Sequence, residues 1–210
     1  MQREAICDKY QLMKTNRWVD HYARQARDEK WLARSVFKLQ EMDKKYRLIR
    51  RGDRLLDLGC YPGSWSQYGI KTVGSEGEVV GIDLTPPGRL SCPNFRFIEH
   101  DILTIDTGWL AREVGPRDVV ISDLAPQTTG ISGTDVSRSM LLATRALDIA
   151  CLLLKKKGNF VCKVFEGEDL KAFRLELSTH FRKTQTVRPR ATRKRSREVY
   201  LVGLGLVNLQ

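Results

Sequence analysis

A chain of 210 residues, 41% apolar and 29% charged, is long enough for one α/β domain with a real core and short for two. Its formal charge of +11 points to a polyanionic partner, nucleic acid before an anionic membrane surface. No apolar stretch nears the length of a membrane span, and Met1–Asp20 lacks the apolar core of an export signal. The five cysteines form no C-x-x-C pair, so neither a disulfide framework nor a zinc site is indicated. The expectation is a cytoplasmic protein with no metal and no membrane attachment.

Residues 1–30 are polar and basic, with Trp18, His21 and Tyr22 set among Lys14, Arg17, Arg24 and Arg27. Aromatics interleaved with cations can stack on bases while neutralising phosphates; the bland alternative is a solvated extension. Residues 31–48 follow as a helix, because Leu32, Val36, Leu39, Met42 and Tyr46 recur every three to four positions. Lys38 lies beside that stripe, where a lysine ordinarily snorkels to water.

The chain is organised around residues 54–65. A short apolar run closes on Asp57, Gly59 and Gly63 bracket a tight turn, and a helix runs from about Gly63 to Val73. Strand, glycine loop and helix start is where open α/β sheets hold nucleotide-like ligands, since glycine admits close approach and the helix start offers free N–H donors. The loop has G-x-x-x-G with Pro62 inside it, not G-x-G-x-x-G, and no Walker lysine follows. It suits a ligand without phosphates, such as S-adenosylmethionine, better than a dinucleotide.

A second strand, Glu78–Asp83, ends on an acid able to accept hydrogen bonds from ribose hydroxyls, and a third, Asn94–Glu99, runs out to Asp101. Asp57, Asp83 and Asp101 thus stand at three successive strand ends. Residues 106–114 suggest a short helix, and Asp118–Asp123 is a β-branched run read as a buried parallel strand. The pliable loop 128–134 suits a substrate surface, and an amphipathic helix spans Ser137 to about Lys156, closed by Lys155–Lys157 and Gly158.

Lys163 is the anomaly. It interrupts the apolar strand Asn159–Phe165, where an unpaired ammonium is costly, so it must reach a partner, reach a cleft or lose its proton. A helix over 168–178 and a strand over 179–187 lead into residues 188–197, ten residues of which six are basic and none acidic. That density favours phosphate contact over a merely solvated loop. Glu198 begins the last strand, which runs to Leu204. Alternating β–α units imply a parallel sheet with helices on both faces, with an antiparallel final pair because its connection is short.

Arg34-Ser35-Val36-Phe37-Lys38-Leu39, Asp57-Leu58-Gly59 with Pro62-Gly63 and Trp65-Ser66-Gln67, Ser122-Asp123-Leu124-Ala125-Pro126, Val161–Glu168 and Ser196-Arg197-Glu198-Val199-Tyr200 are shared with a known family. Over residues 31–204 the chain resembles the FtsJ/RrmJ (RlmE) ribosomal RNA methyltransferases. The resemblance implies a Rossmann-like, S-adenosylmethionine-dependent methyltransferase fold: seven strands, mostly parallel, the last antiparallel, with helices on both faces. It implies a catalytic tetrad of Lys38, Asp123, Lys163 and Glu198, with cofactor contacts from Gly63, Trp65, Asp83, Asp101 and Asp123. The implied reaction is 2′-O-methylation of a ribose, that of a uridine, in large-subunit (23S-type) ribosomal RNA by a monomer. Residues 1–30 would be a basic N-terminal extension and 31–210 a single catalytic domain. Three features depart from the family pattern: Tyr61 and Ser64 in the glycine loop, Gln127 in place of a frequent asparagine, and a slightly long spacing from Asp83 to Asp101.

Two rival functions share the same elements. An NAD-dependent oxidoreductase is disfavoured by the missing third glycine, and a non-catalytic RNA-binding module by the complete tetrad. The chemistry of Lys163 stays open at this point: Lys38 beside it would disfavour a second ammonium, whereas Asp123 and Glu198 would favour one.

Overall fold

The computed structural model describes residues 17–207 apart from Arg89 and Thr128. The side chains of Lys14, Arg17 and Trp18, expected to face nucleic acid, lie outside that description.

Seven strands form one sheet: β1 (Arg54–Leu58), β2 (Glu78–Asp83), β3 (Phe95–Glu99), β4 (Arg117–Ser122), β5 (Leu154–Phe165), β6 (Phe181–Val187) and β7 (Glu198–Leu206). Their order is β3-β2-β1-β4-β5-β7-β6. The first five are parallel, and β7 runs antiparallel to both of its neighbours, β5 and β6. After β1 the chain builds outward through β2 and β3, then returns to add β4 on the other side of β1. The C-terminal ends of β1 and β4 therefore flank the topological switch point, where open α/β sheets leave a crevice.

Period-two alternation along the strands assigns the two faces. Leu56, Leu58, Val80, Val120, Phe160, Cys162 and Leu201 pack under the helices α4 (Thr107–Val114), α5 (Ser132–Leu153) and α6 (Leu170–His180). Leu55, Val79, Ile121, Val161 and Val202 face α2 (Val36–Tyr46) and α3 (Ser64–Val73). Two residues beyond Leu55, Ile121 and Val161 on this second face come Asp57, Asp123 and Lys163. The alternation that buries the apolar residues thus carries the polar ones to one end of one face.

The helix expected over residues 31–48 spans only Val36–Tyr46, and three further readings of the sequence change. Residues 17–28 form a helix, α1 (Arg17–Asp28), although their hydropathy is low. Ala26 and Tyr22, one turn apart, pack with Val36, Phe37 and Ala191, and that narrow contact suffices for a segment rich in good helix formers. Second, α5 begins at Ser132, where Asp135 accepts hydrogen bonds from the Thr129 N–H and hydroxyl, and it stops at Leu153. Third, Lys155–Lys157 do not cap α5. Leu154 turns extended and the lysines open β5, with a register shift against β4 between Arg117 and Val119.

Asp43 fastens the helix layer to the sheet. Its carboxylate accepts the Ile49 N–H at 3.0 Å and the Tyr68 hydroxyl at 2.6 Å, which joins α2, α3 and the segment entering β1. Tyr68→Phe removes one partner from this buried carboxylate and is expected to lower unfolding stability by about 1–3 kcal/mol, read by urea denaturation. An unchanged stability would contradict the anchoring role.

Candidate active site

The antiparallel register of β7 against β5 pairs Tyr200 with Lys163 and Glu198 with Phe165. The start of β7 therefore lies at the end of β5, and residues far apart in sequence meet there. Lys163, 7% exposed, donates from Nζ to Asp123 Oδ1 at 2.9 Å and to the Asp123 carbonyl at 2.5 Å. Lys38, reaching across from α2, pairs with Glu198 at 2.5 Å. The four residues of the implied tetrad are thus two ion pairs.

Tyr200 joins them, and the sequence reading had not assigned it a role. Its hydroxyl donates to Asp123 Oδ1 at 2.7 Å and accepts from Lys38 Nζ at 3.3 Å. The ring is fully buried beside Trp65, with centroids 5.7 Å apart. Burial, with Asp123 and Glu198 adding negative potential, raises the phenol well above its ordinary value, so it stays protonated and keeps donating. Burial would also raise Asp123, but the ammonium groups of Lys163 and Lys38 and the hydrogen bonds from Lys163 and Tyr200 hold it below the usual carboxylate range. In sequence, Tyr200 reads only as a strand aromatic; its spacing of two from Glu198, on the same face, was the available signal.

Two clefts meet at this cluster. One, of about 250 Å³, is lined by Gly59, Tyr61, Asp83, Asp101, Asp123 and Leu124 among others, and among the described residues no lysine or arginine lines it. Asp83 secures its own rim, accepting the Tyr61 N–H at 2.9 Å and the Thr85 N–H at 3.1 Å, while Asp101 accepts the Leu103 N–H at 2.9 Å. Gly59 adopts φ +78°, and a Cβ there would lie 2.8 Å from Leu124, so glycine is required at this turn. The other cleft, about 460 Å³, is lined by Arg34, Ser35, Lys38, Arg193, Arg195 and Glu198 among others.

Of the sequence-derived cofactor contacts, Asp83, Asp101 and Asp123 come together in the acidic cleft, and Gly63 and Trp65 do not line it. Gly63 is the N-cap of α3 with φ 109°, where a Cβ would meet Leu32 and Pro87. The Trp65 indole is buried and donates to the Ser35 carbonyl at 2.9 Å, which leaves only its backbone to offer a ligand.

These features define a class of protein: an α/β methyltransferase of Rossmann-like architecture. The FtsJ-like methyltransferase model matches residues 31–206, and the chain belongs to that family. The ribosomal RNA large subunit methyltransferase E of Bdellovibrio bacteriovorus is 47% identical over 188 residues, which cover 88% of this chain and 95% of the relative. The protein of the same name from Methanothermobacter thermautotrophicus is 44% identical over 186 residues, 88% of each chain. Among solved structures, one described as a ribosomal RNA methyltransferase of Plasmodium falciparum has a TM-score of 0.75 at 25% identity, covering 85% of this chain and 100% of that one.

Asp57 lies beneath the cleft, fully buried at the end of β1. Oδ2 accepts the Ser66 hydroxyl at 2.6 Å, while Oδ1 has no partner among the described residues. Burial pushes its carboxyl up to about 7; Ser66 opposes the rise, and the charges of Asp123 and Asp83 add to it. An acid raised in the folded state stabilises fully below its unfolded value near 3.8, and that contribution is lost as pH rises through about 7. Asp57→Asn is therefore expected to flatten the fall in unfolding free energy between about pH 4 and pH 7, measured by denaturant titration. An unaltered pH profile would contradict this assignment.

Proposed function

We propose that this protein uses S-adenosylmethionine to methylate a ribose 2′-hydroxyl in large-subunit ribosomal RNA, that of a uridine as the family resemblance implies, acting as a cytoplasmic monomer. The observation that carries this reading is the position of the cluster between two clefts of opposite charge, with Asp123 on the acidic wall and Lys38 and Glu198 on the basic one. The names of the relatives give large-subunit ribosomal RNA as what those proteins methylate.

The donor set of the acidic cleft fits the cofactor. Three carboxylates suit a cationic sulfonium and ribose hydroxyls, and Leu84, Ile102, Leu124 and Leu142 offer an apolar wall to a flat base. A dinucleotide's pyrophosphate would meet like charge instead. Asp83, Asp101 and Asp123 would hold the cofactor, with the buried Asp57 carboxyl beneath them raised by burial to about 7. When bound, the cofactor supplies an electrophilic methyl group.

The chain's own contribution is to the nucleophile. Asp123 takes two hydrogen bonds from Lys163 Nζ and so fixes the nitrogen in place. One tetrahedral position remains for the ribose hydroxyl, as donor from an ammonium or as proton acceptor on an amine. Orientation supplies much of such a rate, and a positioned base typically adds ~10²–10⁴-fold. Arg193, Arg195 and Arg34 would neutralise phosphates along the groove, and the basic N-terminal extension 1–30 would add to the attraction for RNA.

Lys163→Ala is expected to slow single-turnover methyl transfer to RNA by at least ~10²-fold while keeping cofactor binding. Near-wild-type turnover would refute the role of Lys163. Lys163→Arg separates its two modes, because a guanidinium cannot accept the proton: activity restored leaves orientation alone. Asp83→Ala is expected to weaken S-adenosylmethionine binding by about 1.5–3 kcal/mol, and unchanged affinity by calorimetry would remove Asp83 from the cofactor site.

A further inference from the structure

We propose that the end of the sheet opposite the active site is a second phosphate-binding surface, which holds a remote segment of the same large RNA through residues 44–51 and 155–157. This rests on the RNA reading above and extends it to a surface that reading does not use.

Segments 44–54 and 155–157 contain nine cations, Lys44, Lys45, Arg47, Arg50, Arg51, Arg54, Lys155, Lys156 and Lys157, against one acid, Asp53. All but Arg54 are exposed. Because β1, β4 and β5 are parallel, their starts share one end of the sheet, and specific contacts bind the two segments together. Asp118 accepts the Arg54 N–H at 2.9 Å and also pairs with Lys155 at 2.7 Å, while Asn159 donates to the Leu48 carbonyl at 3.0 Å. The charge is therefore gathered on one surface.

Little of it is neutralised internally. Among the described residues, Lys155 is the one exposed cation of this group with a carboxylate at ion-pair distance. The Asp53 carboxylate is engaged by the Arg50 N–H at 2.7 Å, and Glu78 is taken by Arg54 and the buried Arg117. A membrane surface fits less well. The apolar residues within the patch, Leu48 and Ile49, are buried, which leaves only Leu152 on the adjoining helix as a large exposed apolar side chain to insert.

From Lys155 to Lys163 the strand rises about 26 Å at 3.3 Å per residue. That exceeds the ~8 Å Debye length at physiological salt, so the two basic surfaces act as separate sites. A short oligonucleotide filling the catalytic groove would engage only one of them, whereas a folded RNA domain engages both.

The test compares a short RNA oligonucleotide with a folded domain of large-subunit ribosomal RNA, each titrated over a salt series. The patch variant carries Lys44→Gln, Arg50→Gln and Lys156→Gln, at exposed positions with ordinary backbone. Binding of the long RNA is expected to show a log–log salt slope shallower by about 2–3, at 0.7–0.9 per phosphate contact, with short-RNA affinity and single-turnover rate unchanged. An unaltered long-RNA slope overturns the inference, as does lost binding to phosphatidylserine vesicles with RNA binding intact. A groove variant, Arg193→Gln with Arg195→Gln, serves as the control. If the short RNA ignores the groove variant, the substrate reading itself fails. If the short RNA responds to the groove variant and the long RNA ignores the patch variant, only the second surface fails.

Discussion

The antiparallel pairing of β7 with β5 is the constraint on which the rest of the site depends. A parallel β7 would carry its first residues to the far end of the sheet, and Glu198 and Tyr200 could not reach Lys163. With the observed register, Tyr200 sits opposite Lys163 and its hydroxyl touches both Asp123 and Lys38. Two ion pairs contributed by four elements become one network. Burial makes such networks demanding, since a half-satisfied one costs more than an apolar core. Here the Asp123 carboxylate accepts from Lys163 and Tyr200, and Lys38 has both Glu198 and the Tyr200 hydroxyl within reach.

The same geometry separates charge. Carboxylates from the ends of β2, β3 and β4 gather on one side of the cluster, and cations from α2 and the 188–197 segment on the other. Asp57, beneath the negative side, is raised chiefly by burial, with the neighbouring acids adding to the rise. A cationic methyl donor and a polyanionic acceptor would each be drawn to the side that complements it, and their reacting groups would meet at Lys163. The net charge of +11 is thus an average over two opposed local fields.

Much of this was legible in the sequence because strands impose a period of two. Asp57, Asp83 and Asp123 each close an apolar run, and Asp101 follows soon after β3; an acid at the carboxyl end of a parallel strand lies at or beneath the crevice. Lys163 stood out for the opposite reason, as a charge where burial demanded none. What escaped was set by tertiary contact. Tyr200 looks like any strand aromatic until β7 is known to lie against β5. Residues 17–28 look like a solvated tail because a few contacts around Ala26 and Tyr22, not a broad apolar stripe, hold the helix down. Lys155–Lys157 resemble a helix end, yet pairing of Leu154 with Arg117 draws the chain into a strand first. Trp65 buries its indole against Tyr200 and leaves its backbone to offer a ligand, a division that the sequence does not reveal.

The central claim is that the cluster around Lys163 directs a methyl group to a ribose hydroxyl and not to a base. It is tested most directly by incubating the protein with large-subunit ribosomal RNA and methyl-labelled S-adenosylmethionine, followed by alkaline hydrolysis. A 2′-O-methyl group blocks cleavage at its own nucleotide, so the account expects the label in an alkali-resistant dinucleotide. Label released in mononucleotides would mean that a base is the acceptor and would contradict it.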